Sequence, residues 1–198
     1  MSMAKRLESR LDDGHPVVLP TETQYALACD ATSKVAIKAV RVIKGRGPSA
    51  PFSIFLPSFQ SLSSWRIRYS DYAKILAAAY WPGPLTLILP TANSLFKLLG
   101  GDGLSVGVRV TPEPLIAMLL QRTNRPLVAT SANPSGVVMG SKSENQWLKS
   151  KAEEGSLDWA RPKRYRRRPA STVIDCTGKV PRELRPGPIS KAAWNAVL

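Results

Sequence analysis

At 198 residues, with 43% hydrophobic and 21% charged side chains, the chain has the length of one domain with a sizeable core, taken here as residues 1–198. Its 28 Lys and Arg against 14 Asp and Glu leave a formal charge of +14, which points to anionic partners: nucleic acid first, a nucleotide second, an anionic membrane surface third. Two distant cysteines (Cys29 and Cys176), a single histidine (His15) and no apolar run of signal or membrane-spanning length weigh against a disulfide framework, a zinc site, a histidine triad and a membrane; the expectation is a reduced, cytoplasmic compartment.

In chain order, Ala4 to Leu11 reads as a short helix closed by Gly14. The β-branched run Val17 to Leu19 ends at Pro20, which cannot donate to a sheet ladder, so a buried strand hands over there to Thr21, Glu22, Thr23 and Tyr25. In an open α/β sheet such a strand end is where ligands sit. Tyr25 to Cys29 is a second strand. Ala36, Ala39, Val40 and Ile43 fall at helical spacing and predict a helix capped by Ser33 and stopped by Gly45. Lys44 and Arg46 then flank a helix end, where both can reach one polyanion, the lysine as a point charge and the arginine as a planar fork. A solvated basic helix end, with both side chains facing water, is the simpler reading of that stretch alone.

Phe52 to Leu56 predicts a strand, and Asp71 to Tyr80 a helix capped by Ser70 and ended by Trp81-Pro82-Gly83-Pro84. Leu85 to Leu89 and Ser105 to Val110 are strands around a glycine-rich turn at Gly100 to Gly103. Arg109, inside the second of them, must find a partner or point into a cleft. Pro114 opens a helix to Gln121, and Leu127 to Ala129 is a short strand. The small residues of Thr130-Ser131-Ala132-Asn133-Pro134-Ser135-Gly136 leave backbone N–H groups free to approach an anion; an ordinary turn is the simpler reading.

Ser143 with Gln146 fits a capping box for a polar helix toward Glu154. From about 157 to 169 runs a basic loop, expected to be mobile, with Arg161, Lys163, Arg164, Arg166, Arg167 and Arg168 as six cations in eight residues. It is either an arm for RNA, with Arg164, Arg166, Arg167 and Arg168 on phosphates and Tyr165 or Trp159 stacking on a base, or a solubilising loop. Ser171 to Ile174 and Val180 to Leu184 close the sheet, and Ser190 caps a last helix. The alternation gives an α/β fold: an open, twisted, mostly parallel or mixed sheet with flanking helices.

No GxxxxGK[ST] or GxGxxG run occurs, so a nucleotide would be held by dispersed residues. Seven motifs stand in one order over nearly the whole chain. They are Pro20-Thr21-Glu22-Thr23-x-Tyr25, Lys44-x-Arg46, Trp81-Pro82-Gly83-Pro84-Leu85-Thr86, Val108-Arg109, Ser131-Ala132-Asn133-x-Ser135-Gly136, Ser171-Thr172-Val173-Ile174-Asp175 and Leu184-Arg185-Pro186-Gly187. Together they resemble the YrdC/TsaC family in its short, single-domain form.

The resemblance implies a YrdC-like domain with a large basic concave cleft. It implies the synthesis of L-threonylcarbamoyladenylate from L-threonine, bicarbonate or CO2, and ATP, with release of pyrophosphate. This nucleotidyltransferase reaction serves the threonylcarbamoylation of adenosine 37 in tRNAs that read ANN codons. By the same resemblance Lys44 and Arg46 are the catalytic pair on the ATP phosphates. Thr23, Arg109, Ser131, Asn133, Ser171 and Arg185 bind the nucleotide, and Thr21 and Tyr25 the threonine. Mg2+ rides on the ATP phosphates, with no side-chain metal ligands. The implied partners are ATP, L-threonine, bicarbonate, tRNA or another RNA, and downstream threonylcarbamoyl-transfer proteins, with no membrane.

Tyr25-Ala26-Leu27-Ala28 stands where the family usually has Tyr-Gly-Leu-Gly, and a methyl group there can narrow a pocket. Ala26 also occurs in YciO-like paralogues, so the alternative is a paralogue that binds RNA or nucleotide without efficient synthesis. A third reading is a carbamoyl-adenylate step for another acceptor, as in multidomain carbamoyltransferases with a similar domain; this chain shows no partner domain for it.

Overall fold

Short apolar runs punctuated by proline, glycine and polar clusters fold as one nine-stranded sheet among residues 2–138, 141–160 and 168–198, which the computed structural model describes. The strands are β1 (Val17–Leu19), β2 (Ala26–Ala28), β3 (Ser53–Phe55), β4 (Leu85–Pro90), β5 (Ser105–Arg109), β6 (Leu127–Ser131), β7 (Asp158–Trp159), β8 (Thr172–Asp175) and β9 (Arg182–Arg185), in the order β7-β1-β2-β6-β3-β5-β4-β8-β9. The sheet is mixed. Pairs β1–β7, β3–β5 and β4–β8 are parallel and the other five are antiparallel, so parallel pairing is the smaller share.

Helices α1 (Met3–Asp12), α2 (Lys34–Lys44), α3 (Ser61–Ser64), α4 (Asp71–Tyr80), α5 (Pro114–Thr123), α6 (Ser141–Glu153) and α7 (Lys191–Asn195) flank it. Both sheet faces are covered, because successive side chains of a strand point to opposite sides. Val18 and Leu27 pack with Ala36, Ile37 and Val40 of α2 and with Ala73 and Leu76 of α4. Val17, Leu19, Ala26 and Ala28 pack on the other side with Leu7 and Leu11 of α1 and Ile116 and Leu119 of α5. Truncating any of these four α1 and α5 residues to alanine costs about 2–5 kcal/mol. No helix among the described residues is long and apolar enough to cross a membrane.

The serine caps form as the sequence dictates: Ser33, Ser70 and Ser190 accept the N–H groups of Ala36, Ala73 and Ala193. Gly45 ends α2 in the left-handed region, at φ 59°. Ser143 is a correction. Helix α6 begins at Ser141, so Ser143 lies within the helix and does not cap it.

Of the segment 157–169, residues 161–167 lie outside the described residues, and the two ends are paired. Asp158 and Trp159 form β7 beside β1, and the Ala160 N–H donates to the Val18 carbonyl at 2.9 Å. At the other end the Arg168 N–H donates to the Thr23 carbonyl, again at 2.9 Å. Trp159 does not serve as an open stacking platform: it is partly buried and meets the Tyr25 ring edge-on, with centroids 5.7 Å apart. Of the RNA-binding candidates, Arg164, Arg166 and Arg167 lie outside the described residues, as does Tyr165, while Arg168 is exposed.

Candidate active site

At the end of β1 the chain turns on its own hydroxyls. Thr21 Oγ1 donates to the Gln24 carbonyl at 2.6 Å, accepts the Thr23 N–H at 3.0 Å and lies 3.0 Å from Thr23 Oγ1. This threonine turn reverses the strand into β2, and Thr21, Thr23, Gln24, Tyr25 and Ala26 line one side of a cavity of about 160 Å³.

The opposite wall comes from β4, β5, β8 and β9. Arg185 donates from Nε and Nη2 to the Ser171 carbonyl at 3.1 and 2.9 Å, and from Nη2 to Ser171 Oγ at 3.0 Å. Ser171 Oγ in turn lies 2.9 Å from Thr86 Oγ1. Glycine is required just beyond Arg185, because a Cβ on Gly187 would stand 2.6 Å from the Ala170 carbonyl. The floor is the end of β6, with Thr130 and Ser131, and Arg46 closes the rim from the loop after α2.

Among the described residues three guanidiniums, Arg46, Arg109 and Arg185, line this cavity, and no carboxylate does. Arg109 is 7% exposed. Its Nη2 lies 2.8 Å from Glu22 Oε1 and donates to Thr23 Oγ1 at 2.9 Å, while Nε donates to the Gly83 carbonyl at 3.3 Å. No hydrogen-bond partner holds its Nη1 among the described residues. Burial, then the charge of Arg109, lowers the proton affinity of Arg185; burial, then Arg41, does the same to Arg46. An arginine keeps its proton regardless, so these cations are short of negative charge and favour an anionic ligand.

Lys44 is a correction. The solvent-facing helix end is instead a buried ammonium, 3% exposed, whose Nζ donates to the Ser131 and Asn133 carbonyls at 2.5 and 2.6 Å and lies 3.4 Å from Asn133 Oδ1. The Ser135 N–H returns a bond to the Lys44 carbonyl at 2.8 Å. Burial, then Arg46, pushes the amine down to about 7, while the oxygens around it favour the charged form. Lys44 and Asn133 therefore hold the end of β6 from behind and are not among the lining residues.

The sequence model of the family described as "Telomere recombination", the Sua5/YciO/YrdC group, matches residues 9–187. This chain belongs to that family. A Mycobacterium tuberculosis protein named putative threonylcarbamoyl-AMP synthase is 32% identical over 185 residues, 93% of this chain and 84% of that one. A Bacillus subtilis protein named threonylcarbamoyl-AMP synthase is 31% identical over 189 residues, 95% of this chain and 54% of that one. Among solved structures, Pyrococcus abyssi Sua5 complexed with L-threonine superposes with a TM-score of 0.83 at 29% identity; the match covers 98% of this chain and 57% of the archaeal one. Escherichia coli YciO, at 24% identity and a TM-score of 0.80, shares the fold.

In this Sua5/YciO/YrdC chain, Thr21, Thr23, Tyr25, Arg46, Arg109, Ser131, Ser171 and Arg185 come together on one cavity, as the motif order implies, and Lys44, Asn133 and Arg168 do not line it. Of the two alanines that replace glycine, Ala26 lines the cavity; Ala28 is buried against α1 and α5. Sequence reading missed Gln24, Ser53 and Thr86 as lining residues, and Glu22 behind Arg109. A usable signal existed for Thr86. It is a hydroxyl between Leu85 and Leu87 in an apolar strand, and like Arg109 it had to find a partner.

Proposed function

We propose that this chain is an L-threonylcarbamoyladenylate synthase, a nucleotidyltransferase acting on L-threonine, bicarbonate or CO2, and ATP. The observation that carries this reading is the convergence of Arg46, Arg109 and Arg185, with the hydroxyls of Thr21, Thr23, Thr86, Ser131 and Ser171, on one cavity that no carboxylate lines among the described residues. Such a lining suits a ligand rich in negative charge and hydrogen-bond acceptors. The relatives named threonylcarbamoyl-AMP synthase and the threonine-bound Sua5 add support.

Both reactants are anions, so cations fixed in place beforehand lower the barrier to their approach. Threonine carbamate forms a new bond from its oxygen to the α-phosphorus of ATP. The bond from that phosphorus to the oxygen bridging to the β-phosphate breaks, and the electron pair leaves with pyrophosphate. Arg46 and Arg185 oppose the charge on the phosphate oxygens, and the Thr21–Tyr25 turn holds the amino acid. The carbamate is already ionised, so no side-chain base is assigned. Mg2+ is proposed to enter on the ATP phosphates, whose hard oxygens are the ligands it prefers. The product is proposed to pass, in the cytoplasm, to downstream transfer proteins acting on adenosine 37 of ANN-decoding tRNAs.

The test incubates the purified chain with ATP, labelled bicarbonate and L-threonine. Pyrophosphate release that depends on threonine, with label entering the adenylate, is the expected result. Equal release without threonine would overturn the synthase reading and leave a YciO-like chain that binds nucleotide or RNA.

A further inference from the structure

Among the described residues, the one acidic side chain that meets a lining cation, Glu22, belongs to neither the cavity surface nor any assigned role. Glu22 stands between Thr21 and Thr23 in the turn, so when those two hydroxyls bond inside the turn its carboxylate is carried behind the wall. There it is gripped from two elements. Oε1 lies 2.8 Å from Arg109 Nη2, and Oε2 accepts the Thr111 hydroxyl at 2.7 Å. Its side chain is 18% exposed and that of Arg109 9%, so the pair sits where water screens it little. Glu113 adds a second carboxyl on the same side, pushed up first by burial and then by the charge of Glu22.

Two consequences follow for a cavity with three cations. Without Glu22, the charge of Arg109, which already lowers the proton affinity of Arg185, would be balanced by no carboxylate among the described residues, and the cavity would hold any phosphate product hard. With Glu22 in place, Arg109 carries a carboxylate oxygen 2.8 Å from Nη2 as an ion pair, while its hydrogen bonds go to the Gly83 carbonyl and Thr23 Oγ1. We propose that Glu22 is a built-in counter-ion of the cavity, a positioning residue that fixes the Arg109 fork and weakens the hold on phosphate anions so that pyrophosphate can leave. The proposal rests on the synthase reading only in its choice of anion.

Calorimetric titration of pyrophosphate into the wild-type chain, Glu22→Gln and Glu22→Asp tests it. Glutamine keeps the shape and removes the charge, so pyrophosphate binds Glu22→Gln about tenfold tighter, the effect of one charge about 12 Å from one ligand charge at an effective dielectric near 20. Aspartate keeps the charge and withdraws it by one methylene, giving a smaller gain. It carries the test if the glutamine variant fails to fold. In the synthase assay KM for ATP and kcat both fall, because the product is released more slowly. A residue that merely braces the turn would weaken binding when replaced, so a gain in affinity is the distinguishing sign. Unchanged or weaker pyrophosphate binding by the variants, against a wild type that binds, overturns the counter-ion alone. Pyrophosphate binding to none of the three overturns the anion cavity as well. Absence of threonine-dependent turnover alongside the tenfold gain removes the synthase reading and leaves the counter-ion standing.

Discussion

Replacing Lys44 with methionine separates a residue that braces the site from one that touches phosphate. The ammonium is 3% exposed and donates to two carbonyls, those of Ser131 and Asn133, at 2.5 and 2.6 Å. Methionine fills the same volume and donates nothing, so each buried acceptor left without a donor costs about 1–3 kcal/mol. Part of this returns, because burial that pushes the amine down to about 7 means the ammonium is itself unfavourable there. A net loss of about 2–4 kcal/mol remains, which at this chain length lowers Tm by about 5–15 °C. The pH dependence has a definite sign. The folded amine titrates near 7 and the unfolded one near its ordinary 10.5, so the neutral form's contribution is full above the unfolded value and is lost as pH falls through the folded one. Wild type therefore gains on Lys44→Met as pH rises from 7 toward 10. Differential scanning calorimetry at pH 7 and 9, paired with the pyrophosphate assay, checks both. Abolished turnover with Tm unmoved would refute the bracing role and return Lys44 to the phosphates.

Arg46→Ala should behave in the opposite way: among the described residues its guanidinium bonds only the Pro51 carbonyl, at 2.7 Å, and rests on Phe52 at 5.0 Å, at the cavity rim. Nucleotide affinity should fall at least about tenfold, one charge-assisted hydrogen bond being worth about 1.5–3 kcal/mol, while Tm stays near wild type; titration with ATP reads the first and calorimetry the second. Both thiols should be silent toward a disulfide reagent at pH 8 until the protein is unfolded. Burial raises Cys29, and burial with Asp175 pushes Cys176 up to about 12, so the reactive thiolate is scarce in the fold; labelling of the native protein would contradict this. Replacing Arg166, Arg167 and Arg168 by serine should weaken RNA binding and flatten its salt dependence by about 0.7–0.9 per lost phosphate contact, while sparing pyrophosphate release. Arg168 anchors through its backbone, so the substitution keeps that contact. Unchanged RNA affinity would make the segment a solubilising one.

Elements with a local signature were readable from the chain alone. Val17–Leu19 and Leu85–Pro90 announce themselves by branched or apolar runs that end at proline, and Asp71–Tyr80 by its serine cap and the Trp81-Pro82 stop. Asp158–Trp159 carries no such pattern, because two residues show no period; it is a strand only because β1 lies beside it. Arg109 was readable as a residue in need of a partner, but the partner, Glu22, lies far away in sequence, and no local signal joins them. Lys44 failed for the same reason in reverse. At the end of α2 a lysine reads as solvated, and the carbonyls that bury it arrive from Ser131 and Asn133, 87 and 89 residues on. The cavity residues were found in larger number than their roles, since motif order marks which residues gather and long-range geometry decides which of them face the ligand.

The hairpin of β1 and β2 carries the Thr21–Tyr25 turn, and it also receives both flanks of the cationic stretch, at Val18 from Ala160 and at Thr23 from Arg168. Those flanks are stitched to the very backbone that shapes the cavity. A polynucleotide gripping Arg168 would load the carbonyl side of Thr23, whose hydroxyl steadies Arg109. Anything held by the Arg168 side chain would thereby bear on the same peptide unit that shapes the cavity wall.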